Sequence, residues 1–368
     1  MNAVKMSSRE RLTAALRRQP VDRLPWTVDL GYYNTALRIQ HRFDSRYEGM
    51  EGYLRQHEEL GADPYFSGAP GVCRMDLGDV KRAATESASE CTTAWTLDGR
   101  TLKGIERYLP ESFCWAWSRH PVETVEELEL FLRMARRFRL TPDVERHRAA
   151  QQACGERALL ICGLPRNPVA AMLAEWCGVM AASYLIADAP DAFSETLGVL
   201  ERLTDPLFDA LCVYRPAVVH FCDNISGETV GSFWDRFMLP LYRRRLKPLQ
   251  EAGIVCVIHN DGTVGSVLGR IAAAGFDGAE ALTPAPVGDV APGDLRRLAG
   301  RDDFVLWGMV PGAMFAPFWS EADFRAHVER VLRECSGPMV LGSADQIPPG
   351  ADLRRVRIVH EILTASSR

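Results

Sequence analysis

The chain has 368 residues, 47% of them hydrophobic and 25% charged, with a formal net charge of −5. That balance suits a soluble globular protein with a large core, and it lacks the basic excess on which nucleic-acid binding depends. The ten cysteines lie in apolar contexts such as "LLICGL" with no C-x-x-C pair, which excludes a thiolate zinc knuckle and points to free thiols in a reducing compartment.

The first elements read clearly. The opening twenty residues have no apolar run of signal-peptide type, so a cytoplasmic protein is expected. Ser7 and Glu10 have capping-box spacing, Leu12, Ala15 and Leu16 follow at helical intervals, and Pro20 stops the helix. "RLPWTVDL" reads as a strand ending on Asp29. Residues 49–60 look helical and lead to a second strand in "GADPYFSG". Residues 78–110 alternate β-formers with polar residues around "LDGRT", whose Asp98-Gly99 is a hairpin signal. This predicts a β excursion between barrel elements. Thr124 and Glu127 then cap another helix.

From residue 157 the pattern turns regular. Strand-like runs cover 158–164, 217–224, 254–260, 276–282, 304–310 and 338–345. Amphipathic stretches separate them at 168–187, 190–212, 231–252, 264–274 and 321–335. Strand and helix in alternation mean βαβ units and a parallel sheet. Eight such strands predict a single (β/α)8 TIM-type barrel over residues 1–368. No G-x-G-x-x-G follows a strand, which argues against a dinucleotide fold. The most apolar window, Pro168–Ala187, is long enough to span a bilayer. Glu175 near its middle and the lack of basic flanks make it a buried helix instead, so no membrane partner is expected. The basic run Arg243, Arg244, Arg245 and Lys247 reads as a solvated helix face.

Barrels of this kind collect chemistry at the C-terminal ends of their strands. Standing there are Asp29, Cys162 and Arg166, then His220, Cys222 and Asp223, then His259 and Asp261, then Glu280 and Asp345. An aspartate in such a place is also an ordinary helix N-cap. His220, in mid-strand, reads as a satisfied core histidine. His259 and Asp261 differ, because positions i and i+2 share one face of a strand. Together with Asp345 they offer one imidazole and two carboxylates. Such a set holds a divalent ion (zinc or a harder one), serves as metal-free acid–base groups, or caps the barrel mouth structurally.

The segments "SRERLTAALRRQPVDRLPW", "FMLPLYRRRLKPLQEAGIVCVIHNDG" with Asp223 ahead of it, "GFDGAEAL", "FVLWGMV" and "VLGSADQIPP" resemble uroporphyrinogen-decarboxylase-like proteins over essentially the whole chain. The resemblance implies the same (β/α)8 barrel. The decarboxylase branch carries an "RQAGR" motif for substrate carboxylates and a late "GHG" turn; here "TVDLGYYNTALR" and "GSADQI" stand instead. The chain is more similar to the corrinoid-dependent methyltransferase branch, whose zinc is held by H-x-C and a later cysteine. His259 matches that histidine, and Asp261 and Asp345 stand where the two cysteines would be.

The resemblance thus implies a methyltransferase moving a methyl group between a small oxygen-bearing substrate and a corrinoid, carried on a partner protein, or another acceptor. On that reading His259, Asp261 and Asp345 hold a metal. The catalytic candidates are Asp223, His259, Asp261 and Glu280. The substrate-binding candidates are Asp29, Tyr32, Arg166 and Asp345. Two alternatives stay open. One is a metal-free decarboxylase or lyase on a carboxylated substrate, met by Arg166 and Arg38. The other is a non-catalytic tetrapyrrole- or corrinoid-binding protein, lined by Tyr32, Tyr33, Phe315, Phe318 and Trp319. The resemblance also implies a homodimer.

Overall fold

In the first helix, the Ser7 hydroxyl accepts from the Glu10 N–H (3.1 Å) and the Glu10 carboxylate accepts from the Ser7 N–H (2.8 Å). This capping box satisfies two donors that a helix start leaves open. The helix it launches, α1 (Ser8–Leu16), buries Leu12, Ala15 and Leu16. These three pack with Leu159, Val218, Val255, Val305 and Val340, at the N-terminal ends of five strands, and so close the bottom of a barrel. The computed structural model describes residues 5–67 and 70–366.

The barrel strands are β1 (Trp26–Asp29), β2 (Tyr65–Ser67), β3 (Leu159–Leu164), β4 (Val218–Ile225), β5 (Val255–Asn260), β6 (Gly278–Leu282), β7 (Val305–Pro311) and β8 (Met339–Gln346). They form one parallel sheet in the order β1-β8-β7-β6-β5-β4-β3-β2. Helices Leu239–Glu251, Leu268–Ala274, Leu295–Ala299 and Glu321–Glu334 alternate with the later strands. The fold is the (β/α)8 TIM-type barrel with a β excursion after its second strand.

The seam between β1 and β2 is bridged by one backbone hydrogen bond and two side-chain contacts rather than by a ladder. The Asp63 N–H donates to the Trp26 carbonyl (2.6 Å), the Trp26 N–H donates to the Asp63 carboxylate (3.1 Å), and a His57 ring nitrogen meets the Val28 carbonyl (3.0 Å). Alternation along the strands sends Tyr65, Ile161, Val257 and Trp307 into the lumen. Among them the buried Trp307 indole donates to the Thr27 hydroxyl (2.9 Å).

One glycine here is required by close approach. A Cβ on Gly278 would lie 2.6 Å from the Val305 carbonyl oxygen and 2.8 Å from its Cβ, across the β6–β7 ladder. Neither strand has room to give. Gly278→Ala is expected to cost about 2 kcal/mol through overpacking, read as a lower urea midpoint. The basic run resolves differently from the expected solvated face: Arg243, Arg244 and Lys247 are exposed, but Arg245 is buried.

The chain divides into two compact units. The barrel unit comprises residues 1–71, 145–164 and 215–368, and the second comprises 72–144 and 165–214. The second unit contains the β excursion as an antiparallel meander of Lys81–Glu86, Glu90–Leu97, Arg100–Leu109 and Cys114–Arg119. Its expected tight turn is present. Leu97 pairs with Arg100, and Asp98 and Gly99 both have positive φ (49° and 76°), as a two-residue hairpin turn requires. The unit also takes in helices Gly178–Asp188 and Pro190–Tyr214, which the alternating pattern had assigned to the barrel. Among the described residues, no helix is long and apolar enough to cross a membrane.

Candidate functional site

Strand register builds the site. His259 on β5 and Glu280 on β6 are direct partners across their ladder, and His220 on β4 partners Val257, two residues earlier on β5. Val218 and Val257 face the lumen, so period-two alternation turns His220, Cys222 and His259 to the same interior. The result is a continuous polar chain. Cys222 Sγ lies 3.4 Å from His220 Nδ1, and His220 Nε2 lies 3.2 Å from Glu280 Oε2. His259 Nδ1 meets the same Glu280 oxygen at 2.6 Å, while His259 Nε2 faces Asp345 Oδ1 at 3.8 Å. Beneath it, in the lumen core, stand Tyr65 and Trp307, with ring centroids 5.3 Å apart.

Burial and charge oppose each other in this chain. Burial alone would lower the pKa of both imidazoles. For His220 the thiol of Cys222 and the carboxylate of Glu280 reverse that and carry it up to about 10. For His259, Glu280 does the same and the pKa rises. Glu280 is pressed upward by burial, but the two imidazolium groups take it down to about 2. Burial also acts on Cys222, yet His220 outweighs it and the thiol is lowered. At the rim burial prevails: Asp29 is pushed up to about 6, with Glu280 and Asp345 adding repulsion, and Asp345 is raised as well.

The backbone around the mouth is irregular. Asn224, Ala281, Met309 and Asp345, at or near the ends of β4, β6, β7 and β8, all have positive φ, and the β1, β4 and β6 ladders shift register there. Left-handed conformations cost a non-glycine residue about 1 kcal/mol or more each, and such strain clusters at functional sites. Asp345 is held in this conformation by Ser343, whose hydroxyl donates to the Asp345 carbonyl (2.8 Å) and accepts from the Asp29 N–H (3.1 Å).

The residues expected from sequence separate into three groups. His259, Glu280 and Asp345 come together, with Asp29 close enough to feel their charges. Asp261 stands exposed beyond the end of β5 and accepts from Asn224 Nδ2 (3.0 Å). Asp223 points the other way, out of the lumen, where its buried carboxylate accepts from Tyr242 OH (2.7 Å) on the helix after β4. Tyr32 is half-buried on helix Gly31–Ile39, and Arg166 belongs to the second unit, where it pairs with Glu175 (3.2 Å). His220 is buried and hydrogen-bonded, as a satisfied core histidine would be, and its partner is Glu280 of the candidate site. The "HFC" pattern on β4 holds the missed signal, because His220 and Cys222 share the lumen face with Val218.

Among the described residues, the ligand-type atoms gathered within 4.8 Å of one another belong to His220, His259 and Glu280. Two imidazoles and one carboxylate suit a borderline divalent ion. The expected set of His259, Asp261 and Asp345 is not gathered to that distance, since Asp261 turns to Asn224.

No protein-family model and no curated protein sequence matches the chain. Among solved structures it is similar to a methyltransferase from Methanosarcina mazei, with a TM-score of 0.59 and 14% identity, covering 99% of this chain and 100% of that one. At that identity the likeness establishes a shared fold.

Proposed function

We propose that the barrel mouth is the active site of a methyltransferase-like enzyme. It moves a methyl group between a small oxygen-bearing substrate and an acceptor, either a corrinoid cobalt carried by a partner protein or another nucleophile. The observation that carries this reading is the placement of His259, with Nδ1 on Glu280 and Nε2 opposite Asp345. Glu280 raises the pKa of the ring, so that on this reading it carries a proton on each nitrogen, with Nε2 facing Asp345. When an acceptor attacks the methyl carbon, the C–O bond breaks and its electron pair leaves on oxygen. That oxygen needs a proton, and His259 Nε2 supplies it. Glu280 keeps the imidazole charged, and His220 keeps Glu280 ionised. Asp345, raised toward neutrality, orients the substrate oxygen and helps restore the proton to His259.

The shared fold with a methyltransferase supports the transfer, and the oxygen- and nitrogen-rich site supports an oxygen-bearing rather than a thiol substrate. A carboxylated substrate is less well served, because Asp29, Asp345 and Glu280 place three carboxyl groups around His259. A divalent ion fits His220, His259 and Glu280, and would supply Lewis acidity toward the substrate oxygen. It would take the place of the protons on those atoms, so it is the alternative source of electrophilic assistance.

The test is incubation of purified protein with reduced cobalamin and a panel of methoxy compounds and simple alcohols, following methylation of the corrinoid by absorbance, with metal content measured in parallel. At least one donor is expected to be turned over, and His259→Asn to slow it by about 100-fold or more. Equal turnover by His259→Asn would remove His259 from the mechanism. Full activity in metal-free protein would retire the metal version.

A further inference from the structure

The second unit contains a cavity of about 340 Å³. That volume lies in the range of small-ligand sites, about 300–1,000 Å³. Its walls include Trp95, Phe138, Trp176 and Leu203, and all of its lining comes from residues 75–95, 138 and 165–204, within this one unit. The Trp95 and Trp176 rings stand 5.3 Å apart, centroid to centroid.

Two features mark the cavity as more than a packing fault. One is backbone: residues Met172–Trp176 form a single π-turn, which sets Glu175 and Trp176 on the wall. Such turns carry one residue too many for an α-helix and recur at functional sites. The other is charge. Arg82, Arg166 and Glu175 line the same apolar space, with Arg166 paired to Glu175 at 3.2 Å. Arg82 stands directly across the ladder from Trp95, and no carboxylate of the described residues pairs with it. Two arginines against one glutamate leave a net positive wall. This also accounts for Glu175 in the middle of the most apolar stretch of the sequence, since it holds Arg166 in place beside the cavity.

We propose that this cavity binds a small apolar monocarboxylate, with its hydrocarbon or aromatic body between Trp95, Trp176 and Leu203 and its carboxylate on Arg82. An uncharged molecule would forgo the charge-assisted contact with Arg82, and a strongly polar one would waste the apolar walls. The proposal does not rest on the methyl-transfer reading and stands or falls independently of it.

Calorimetric titration of the full chain with octanoate, against octanol as the uncharged counterpart, tests the proposal. Octanoate is expected to bind saturably at one site per chain, and octanol at least about tenfold more weakly, the loss of one charge-assisted contact. Arg82→Glu, an exposed change on an edge strand, is expected to reduce octanoate affinity by about tenfold or more, and Leu203→Trp to abolish binding by filling the space. Octanol binding as tightly as octanoate, octanoate affinity unchanged in Arg82→Glu, or no saturable binding at all would each overturn it.

Discussion

Glu280→Gln is expected to destabilise the protein by about 3 kcal/mol near neutral pH and to reverse the contribution of His259 to the pH dependence of its stability. Glu280 is buried and its one carboxylate is shared by the buried His220 and the half-buried His259. Removing its charge leaves burial as the main influence on His259 and favours its neutral form, while Cys222 continues to hold His220 up. The sign follows from linkage. In the wild type both histidines have raised pKa values, so their contribution is complete below the ordinary value of 6.5. It is lost as pH rises, for His220 through about 10. Glu280, lowered to about 2, contributes fully above its ordinary 4.5 and loses that contribution on acidification. In the variant, folding would favour a neutral His259, and its contribution to stability should rise rather than fall as pH climbs through 6.5. Urea denaturation at a series of pH values reads both effects. A variant with the same midpoint and the same pH slope as the wild type would remove Glu280 from the centre of the network.

Asp63→Ala is expected to cost about 4 kcal/mol, a comparable loss from a wholly different place. The Asp63 side chain is fully buried and gathers Arg11 Nη1 (2.5 Å), Arg23 Nη2 (2.8 Å), the Ser8 hydroxyl (2.9 Å) and the Trp26 N–H (3.1 Å). Arg11 is itself buried and would keep Asp22 alone as its carboxylate partner. The substitution also leaves a backbone donor of β1 unpaired at the seam where no ladder joins β1 to β2. Chemical denaturation measures the loss. A cost below about 1 kcal/mol would mean that water or a neighbouring carboxylate restores the contacts.

Much of the barrel was legible because its signals are local and periodic. The capping box at Ser7 and Glu10, the Asp98-Gly99 hairpin turn and the run of buried strands from Leu159 onward are each written within a few residues. Assignment of the 168–214 helices to the second unit was not legible, since it depends on contacts across long stretches of chain. The same limit applied to the site. His259 was recognisable from its strand-end position, and Glu280 and Asp345 from theirs. Asp223 sits at an equally good position in sequence, but a β-strand alternates, and its odd-numbered parity on β4 turns it outward to Tyr242. His220 has the opposite parity and faces inward, although in sequence it looks like a core residue. Parity against Val218 would have separated the two. That Asp261 prefers Asn224 to His259 depends on the left-handed turn at Asn224, which no local pattern announces.

The most direct measurement is ¹⁵N NMR titration of His220 and His259 in chelator-treated wild-type protein and in Glu280→Gln. The expected result is that His220 remains protonated at about pH 8 and His259 titrates above 6.5 in the wild type, and that the His259 titration moves downward in the variant. Wild-type rings that titrate near or below 6.5, the ordinary histidine value, would contradict the proposal that Glu280 holds His259 as the proton donor at the barrel mouth.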